Sequence, residues 1–157
     1  MSVRTPVDGA FGRCLPSALF VTLITAVPPA YVMAQAPGFA GTSWQLVKFQ
    51  GSDGKALTPD DKAKYTIEFV ADGQLRARVD CNRGRGTWKS AGPGQIQFGP
   101  LALTRAQCPA GSLHDQILKQ WPHIRSYVLK DGHLFLSLMA DGGIYEFEPI
   151  PAPKPVK

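Results

Sequence analysis

Residues 80–88 are Asp-Cys-Asn-Arg-Gly-Arg-Gly-Thr-Trp, and residues 104–109 are Thr-Arg-Ala-Gln-Cys-Pro. The first stretch ends a strand pattern, and the second precedes a helix pattern. Cys81 and Cys108 are the only cysteines beyond the N-terminal segment, and they enclose a loop of about 28 residues. In an exported protein a disulfide is the favoured interpretation, because disulfides persist in oxidising compartments. Two free buried thiols are the alternative. Zinc is disfavoured because neither cysteine has a second cysteine or a histidine at ligand spacing.

The N-terminal segment, residues 1–34, has the features of a secretory signal peptide. Arg4 and Arg13 precede an apolar stretch at 15–27, and Val32-Met33-Ala34 suits a signal peptidase. That stretch is shorter than the roughly 20 residues that a membrane-spanning helix needs. We expect cleavage after Ala34, no transmembrane span, and a periplasmic or secreted protein. An uncleaved anchor is the alternative.

Composition indicates one small globular domain. The 157 residues carry a formal charge of +5, and loss of 1–34 would leave 15 basic and 11 acidic residues, a charge of +4. This charge is too low for the electrostatic footprint of a nucleic-acid binder, so we expect no nucleic-acid partner. We divide the remainder into a short linker at 35–40, a β domain at 41–149 and a proline-rich disordered tail at 150–157.

Short alternating runs separated by glycine indicate a mainly β fold. Asp72-Gly73 and Asp131-Gly132 join alternating runs and predict tight hairpins. Roughly eight strands at about ten-residue spacing indicate an antiparallel barrel-like domain. In the first strand, Trp44 and Leu46 are expected on one face, with Val47 and Phe49 on the other. The predicted strands are Ser43–Gln50, Tyr65–Phe69, Leu75–Cys81, Gly86–Lys89, Gln95–Phe98, Leu101–Thr104, Tyr127–Lys130, His133–Met139 and Ile144–Glu148.

One segment has helical periodicity instead. Leu113, Ile117, Trp121 and Ile124 recur at spacings of four, four and three, which defines one stripe of a helix. Ser112 can cap the first turn. Pro122 is expected to end the helix near Trp121, because proline removes a backbone hydrogen bond. We predict that this helix packs its stripe over the core as a plug.

The sequence offers little evidence for enzyme chemistry. It lacks the motifs of a nucleophile elbow or a phosphate-binding loop, so we expect no catalytic residue, cofactor or metal. Asp60-Asp61 follow a proline and suit the cap of a helical turn. Gly84-Arg85-Gly86 suits a turn. The histidines are scattered along the chain, at His114, His123 and His133. The tryptophans suit a hydrophobic core and are Trp44, Trp88 and Trp121.

One polar cluster is a candidate anion or partner site. Alternation places Arg76, Arg78 and Asp80 on the strand face opposite Leu75, Ala77, Val79 and Cys81. Arg83 and Arg85 continue the positive charge past the cysteine. Arginine matches the geometry of carboxylates and phosphates, so these four arginines could bind an anion. The alternative is a solvated face in which two arginines pair with Asp80 and Glu68.

The order of these features resembles the META domain family, which includes HslJ-like heat-shock and envelope proteins. The resemblance spans about 40–149 and implies a small β-rich, barrel-like domain with one helix in the cell envelope. The family usually has glycine before the first cysteine, where this chain has Asp80. The features that carry the resemblance are Trp44 with Leu46, Phe69, Asp72-Gly73, Cys81-Asn82, Gly86, Trp88, Phe98-Gly99, Thr104, Cys108-Pro109, the helix to Trp121, and Leu134 to Phe147.

These observations predict an exported, non-enzymatic envelope domain with a stress-related binding or accessory role. Its partner would be an envelope protein or an anionic envelope component, and we expect a monomer. Two alternatives remain open. A barrel interior can carry a small molecule, although three tryptophans and many leucines would fill it easily. A disulfide-bonded β domain also suits an inhibitor of a secreted hydrolase.

Overall fold

Antiparallel strands dominate residues 38–151, the part of the chain that the structure, a computed structural model, describes. The expected signal peptide, its cleavage site and residues 152–157 of the tail lie outside this part. One α-helix within it, α1 (His114–Gln120), precedes the last three strands. The strands are β1 (Thr42–Gln50), β2 (Ala56–Leu57), β3 (Tyr65–Phe69), β4 (Gln74–Val79), β5 (Asn82–Gly92), β6 (Gln95–Phe98), β7 (Ala102–Leu103), β8 (Ile124–Lys130), β9 (His133–Leu138) and β10 (Ile144–Pro149).

Eight of these strands close into a barrel. Their order is β1-β3-β4-β5-β6-β8-β9-β10, and the pairing of β10 with β1 closes the ring. The two-residue strands β2 and β7 are additions that pair with β1 and β5. Closure pairs the outermost strands with each other and so removes free sheet edges. The predicted barrel-like fold is confirmed.

The predicted hairpin turns have the backbone that their residues favour. Asp72 and Gly73 have φ of 57° and 71°, and Asp131 and Gly132 have φ of 52° and 79°. Left-handed backbone is readily adopted by glycine and tolerated by aspartate. Asp-Gly therefore supports the tight reversals between β3 and β4 and between β8 and β9.

A β-bulge in β1 brings Phe49 onto the same buried face as Trp44 and Leu46. The register against β10 shifts between Leu46 and Lys48. One extra residue reverses the alternation, so Trp44, Leu46 and Phe49 are all buried. The prediction that Phe49 faces away from Trp44 and Leu46 was therefore wrong.

Large side chains fill the barrel interior. Phe39, placed by sequence in a linker, is 1% exposed and packs against Phe69, Trp88 and Tyr127. Packing in the domain thus begins at least as early as Phe39. The other hydrophobic residues buried in the described part are Trp44, Leu46, Phe49, Tyr65, Ile67, Phe69, Leu75, Ala77, Val79, Ile96, Trp121, Ile124, Tyr127, Leu134, Leu136, Leu138, Tyr145 and Phe147.

Trp121, the residue that follows α1, covers the core. Trp121 is buried, its Nε1 donates to the Gly99 carbonyl at 3.2 Å, and its ring centroid lies 4.5 Å from that of Phe98. Leu113 and Ile117 are partly buried against the same core. The α-helix ends at Gln120, and Trp121–His123 form a 3-10 turn containing Pro122. The Ser112 hydroxyl accepts a bond from the His114 N–H at 3.1 Å.

Candidate functional site

The two cysteines join the beginning of β5 to the segment that follows β7. Cys81 and Cys108 form a disulfide with a Cα separation of 5.5 Å, within the range that disulfides require. The predicted pairing is confirmed. The crosslink holds residues 104–108 beside the β4–β5 hairpin.

Asn82 explains why an asparagine follows the first cysteine. Its side chain is fully buried, and its Oδ1 accepts bonds from the Thr104 hydroxyl at 2.9 Å and the Ala106 N–H at 2.8 Å. Its Nδ2 donates to the Ala106 carbonyl at 2.9 Å and lies 3.3 Å from both disulfide sulfurs. We call Asn82, Thr104, Ala106 and the disulfide the clasp. Its contacts show a structural role that the sequence did not indicate.

Asp80 occupies the tight loop between β4 and β5. Its φ is 55°, which is left-handed backbone that glycine adopts freely. The residue is buried, its N–H donates to the Lys64 carbonyl at 2.7 Å, and its carbonyl accepts from Arg78 Nε at 3.1 Å. The expected placement of Asp80 on the exposed arginine face was therefore wrong. The contact between Arg78 and Asp80 is made to the backbone carbonyl of Asp80.

Gly84 and Gly86 lie within β5, so the prediction that Gly84-Arg85-Gly86 forms a turn was wrong. Residues 100–103 pass close to these glycines. A Cβ on Gly84 would lie 2.0 Å from the Ala102 carbonyl oxygen, and one on Gly86 would lie 3.2 Å from the Pro100 carbonyl oxygen. Glycine therefore allows β7 to approach β5.

The four candidate arginines form one surface, which we call the basic face: Arg76, Arg78, Arg83 and Arg85. In the pairing of β4 with β5, Arg76 lies opposite Arg85, and Arg78 lies opposite Arg83. The side chains alternate outward while Leu75, Ala77 and Val79 point into the core. Antiparallel pairing thus brings together charges that are up to nine positions apart in the sequence.

The arginines of the basic face differ in their contacts. Arg76 pairs with Glu68 on β3 at 3.0 Å, as the sequence suggested. Arg78 donates to the backbone carbonyls of Asp80 and Ala63. Arg83 and Arg85 are exposed, and within residues 38–151 neither has a carboxylate within 4.0 Å. The basic face therefore carries more positive charge than its paired carboxylate, Glu68, neutralises.

The basic face lines an open depression of about 530 Å³ on the outer surface. Its floor is the backbone of β4 and β5 around Ala77 and Gly84, and Thr66 and Glu68 flank it on β3. Exposed Arg105 follows Thr104, whose N–H bonds the Arg83 carbonyl at 2.9 Å. This contact brings the Arg105 backbone near the basic face. The sequence could not indicate this proximity, because it depends on the pairing of β7 with β5.

Other polar residues have local structural contacts. Asp61 caps the 3-10 turn at Lys62–Lys64, as expected, through its bond to the Ala63 N–H. Hydrogen bonds from Lys62 and Gln45 lower the pKa of Glu148 on β10. Among residues 38–151, no three His, Cys, Asp or Glu residues are grouped closely enough to hold a metal ion. In the same part of the chain, no helix has the length and apolarity needed to span a bilayer.

Comparison with known proteins identifies the family. The META domain model matches residues 37–149, so the chain belongs to the META domain family. No curated protein matches the chain.

Two solved structures have the same fold. The NMR structure of a protein from Burkholderia xenovorans has a TM-score of 0.61 at 21% identity, covering 73% of this chain and 85% of that one. The crystal structure of a DUF4847 family protein from Bacteroides vulgatus has a TM-score of 0.51 at 18% identity, covering 70% and 93%. At these identities the likeness concerns the fold alone.

Proposed function

We propose that this protein is an exported, non-enzymatic envelope domain that binds an anionic envelope component through the basic face. The binding would serve an accessory role under stress. The observation that carries the proposal is the assembly of Arg76, Arg78, Arg83 and Arg85 on one exposed surface of two paired strands.

The energetics of like charges support a binding role for this surface. Like charges directly opposite each other on neighbouring strands destabilise a sheet. Here two such pairs, Arg76 with Arg85 and Arg78 with Arg83, are adjacent. The exposed Arg76–Glu68 pair contributes only about 0–1 kcal/mol, so it offsets little of this repulsion. A bound anion would neutralise the cluster.

Two observations support export. Residues 1–34 have signal-peptide features, and the disulfide suits an oxidising compartment. Intact-mass measurement of the protein recovered from periplasm or medium tests this part. We expect a chain that begins at Gln35 and carries no lipid. A mass that retains 1–34 would contradict the expected cleavage.

The structure favours a surface site over the carrier alternative. The apolar pocket lined by Leu46, Ile67 and Trp121 holds about 20 Å³, which suits roughly one water molecule. A small-molecule carrier needs a much larger cavity, on the order of 300 Å³ or more. The inhibitor alternative has no specific contact in its favour.

Binding to anionic envelope material tests the proposed surface. The wild-type protein should bind isolated anionic envelope polysaccharide or anionic lipid vesicles at low salt and release them as salt rises, because screening weakens exposed charge interactions. The quadruple variant Arg76→Ser, Arg78→Ser, Arg83→Ser and Arg85→Ser should lose binding while remaining folded. Equal binding by variant and wild type, or no binding by the wild type, would show that the basic face is only a solvated surface.

A further inference from the structure

We infer that the ligand of the basic face is a phosphate-bearing group with at least two closely spaced negative charges. This inference rests on the proposed function and specifies the chemistry of its partner. The source of the phosphates is either a lipid headgroup or a soluble phosphate compound, and the two share the same recognition chemistry.

The first argument is the two-dimensional spacing of the arginines. Neighbouring arginines on one strand are two residues apart, or roughly 6.6 Å. Partners across the β4–β5 pair have Cα atoms roughly 4.5–5.5 Å apart. The Cα atoms of the four arginines therefore form a compact, nearly square arrangement. Two adjacent phosphates concentrate several negative charges at such a cluster, whereas a linear carboxylated polymer carries one charge per unit along its length.

The second argument is the division between held and free arginines. Backbone carbonyls of Asp80 and Ala63 hold Arg78, and Glu68 holds Arg76. Arg83 and Arg85 are exposed and have their guanidinium donors available, judged over residues 38–151. Arg78, held by neutral carbonyls, keeps its positive charge, whereas Glu68 offsets the charge of Arg76. The free arginines can each make paired hydrogen bonds to phosphate oxygens.

The third argument is the surrounding surface. Thr66, which lies opposite Arg78 on β3, adds a hydroxyl donor at the edge of the depression. The depression is lined by small, polar and charged residues, without an aromatic side chain. A sugar ring or a base would gain little stacking there. Charge and hydrogen bonding to an oxyanion are the interactions that this surface supplies.

Calorimetric titration of the exported, disulfide-intact protein with inorganic pyrophosphate tests the inference, with citrate as a carboxylate probe of similar size and charge. Pyrophosphate should bind more tightly than citrate. Arg83→Gln with Arg85→Gln should weaken pyrophosphate binding by at least about tenfold. The charge-matched control, Lys119→Gln with Lys130→Gln, removes two exposed lysines elsewhere and should leave binding unchanged.

Vesicles of phosphatidylcholine with and without cardiolipin, whose headgroup carries two phosphates, separate the two sources. Binding only to cardiolipin vesicles, displaced by pyrophosphate, would support a lipid source. Pyrophosphate binding without vesicle binding would support a soluble ligand. Citrate or polygalacturonate binding as tightly as pyrophosphate would overturn the phosphate inference and retain the proposed anion site. If no anion binds, or if both double variants lose binding equally, the phosphate inference and the proposed anion site are both overturned.

Discussion

The Thr104 hydroxyl donates a 2.9 Å hydrogen bond to Asn82 Oδ1, which joins the end of β7 to the beginning of β5. The same hydroxyl accepts the Arg83 N–H at 3.1 Å. A buried amide thus connects the disulfide to the strand that carries half of the basic face. The clasp thus anchors the beginning of β5, the strand that carries Arg83 and Arg85.

Asn82→Ala should lower the free energy of unfolding by about 2–4 kcal/mol, because it removes the fully buried amide and its three hydrogen bonds to Thr104 and Ala106. Denaturant unfolding with the disulfide intact measures the change. Gln97→Ala, at an exposed position of β6, is the control and should change stability by less than about 0.5 kcal/mol. A similarly small effect at Asn82 would show that the clasp contributes little.

Gly84→Ala should destabilise the protein by about 2–4 kcal/mol, because the added Cβ would overlap the Ala102 carbonyl oxygen at 2.0 Å and force β7 away. Gly92→Ala in the same strand is a matched control, since its Cβ would meet no atom within 4 Å. The control should be neutral or more stable by up to about 1 kcal/mol. Equal melting temperatures for the two variants would contradict this account.

Trp121→Ala should cost about 3–5 kcal/mol, because it removes the large side chain that covers the core and bonds Gly99. Val128→Ala on the exposed face of β8 is the control and should cost less than about 0.5 kcal/mol. A loss below about 1 kcal/mol for Trp121→Ala would show that this side chain contributes little to the free energy of unfolding.

Tyr145 should make stability fall at alkaline pH. Burial raises the pKa of its phenol above the ordinary value of 10.0, so the folded state keeps a proton that the unfolded state releases. Its stabilising contribution is complete below about pH 10 and is lost as the pH rises further. Denaturant unfolding between neutral and alkaline pH measures this slope. Tyr145→Phe, which also loses the bond to Gln120, should show a shallower decline; an unchanged slope would assign the effect to other groups.

Local sequence patterns predicted most elements because strand alternation and Asp-Gly turns depend on neighbouring residues. The hairpin at Asp72-Gly73 and the strand Tyr65–Phe69 agree with the structure. The disulfide was predictable because few cysteines were available to pair. The first strand was less predictable, since the bulge near Val47 depends on its register with β10.

The sequence by itself determined a β-rich domain with one helix, the cysteine pairing and the alternation that places Arg76 and Arg78 on the outer face of β4. Tertiary structure decided barrel closure, the burial of Asp80 and the approach of β7 that requires Gly84. It also placed Arg83 and Arg85 opposite the first two arginines and built the network around Asn82. These features depend on contacts between distant residues, whose register and distance local propensity does not specify.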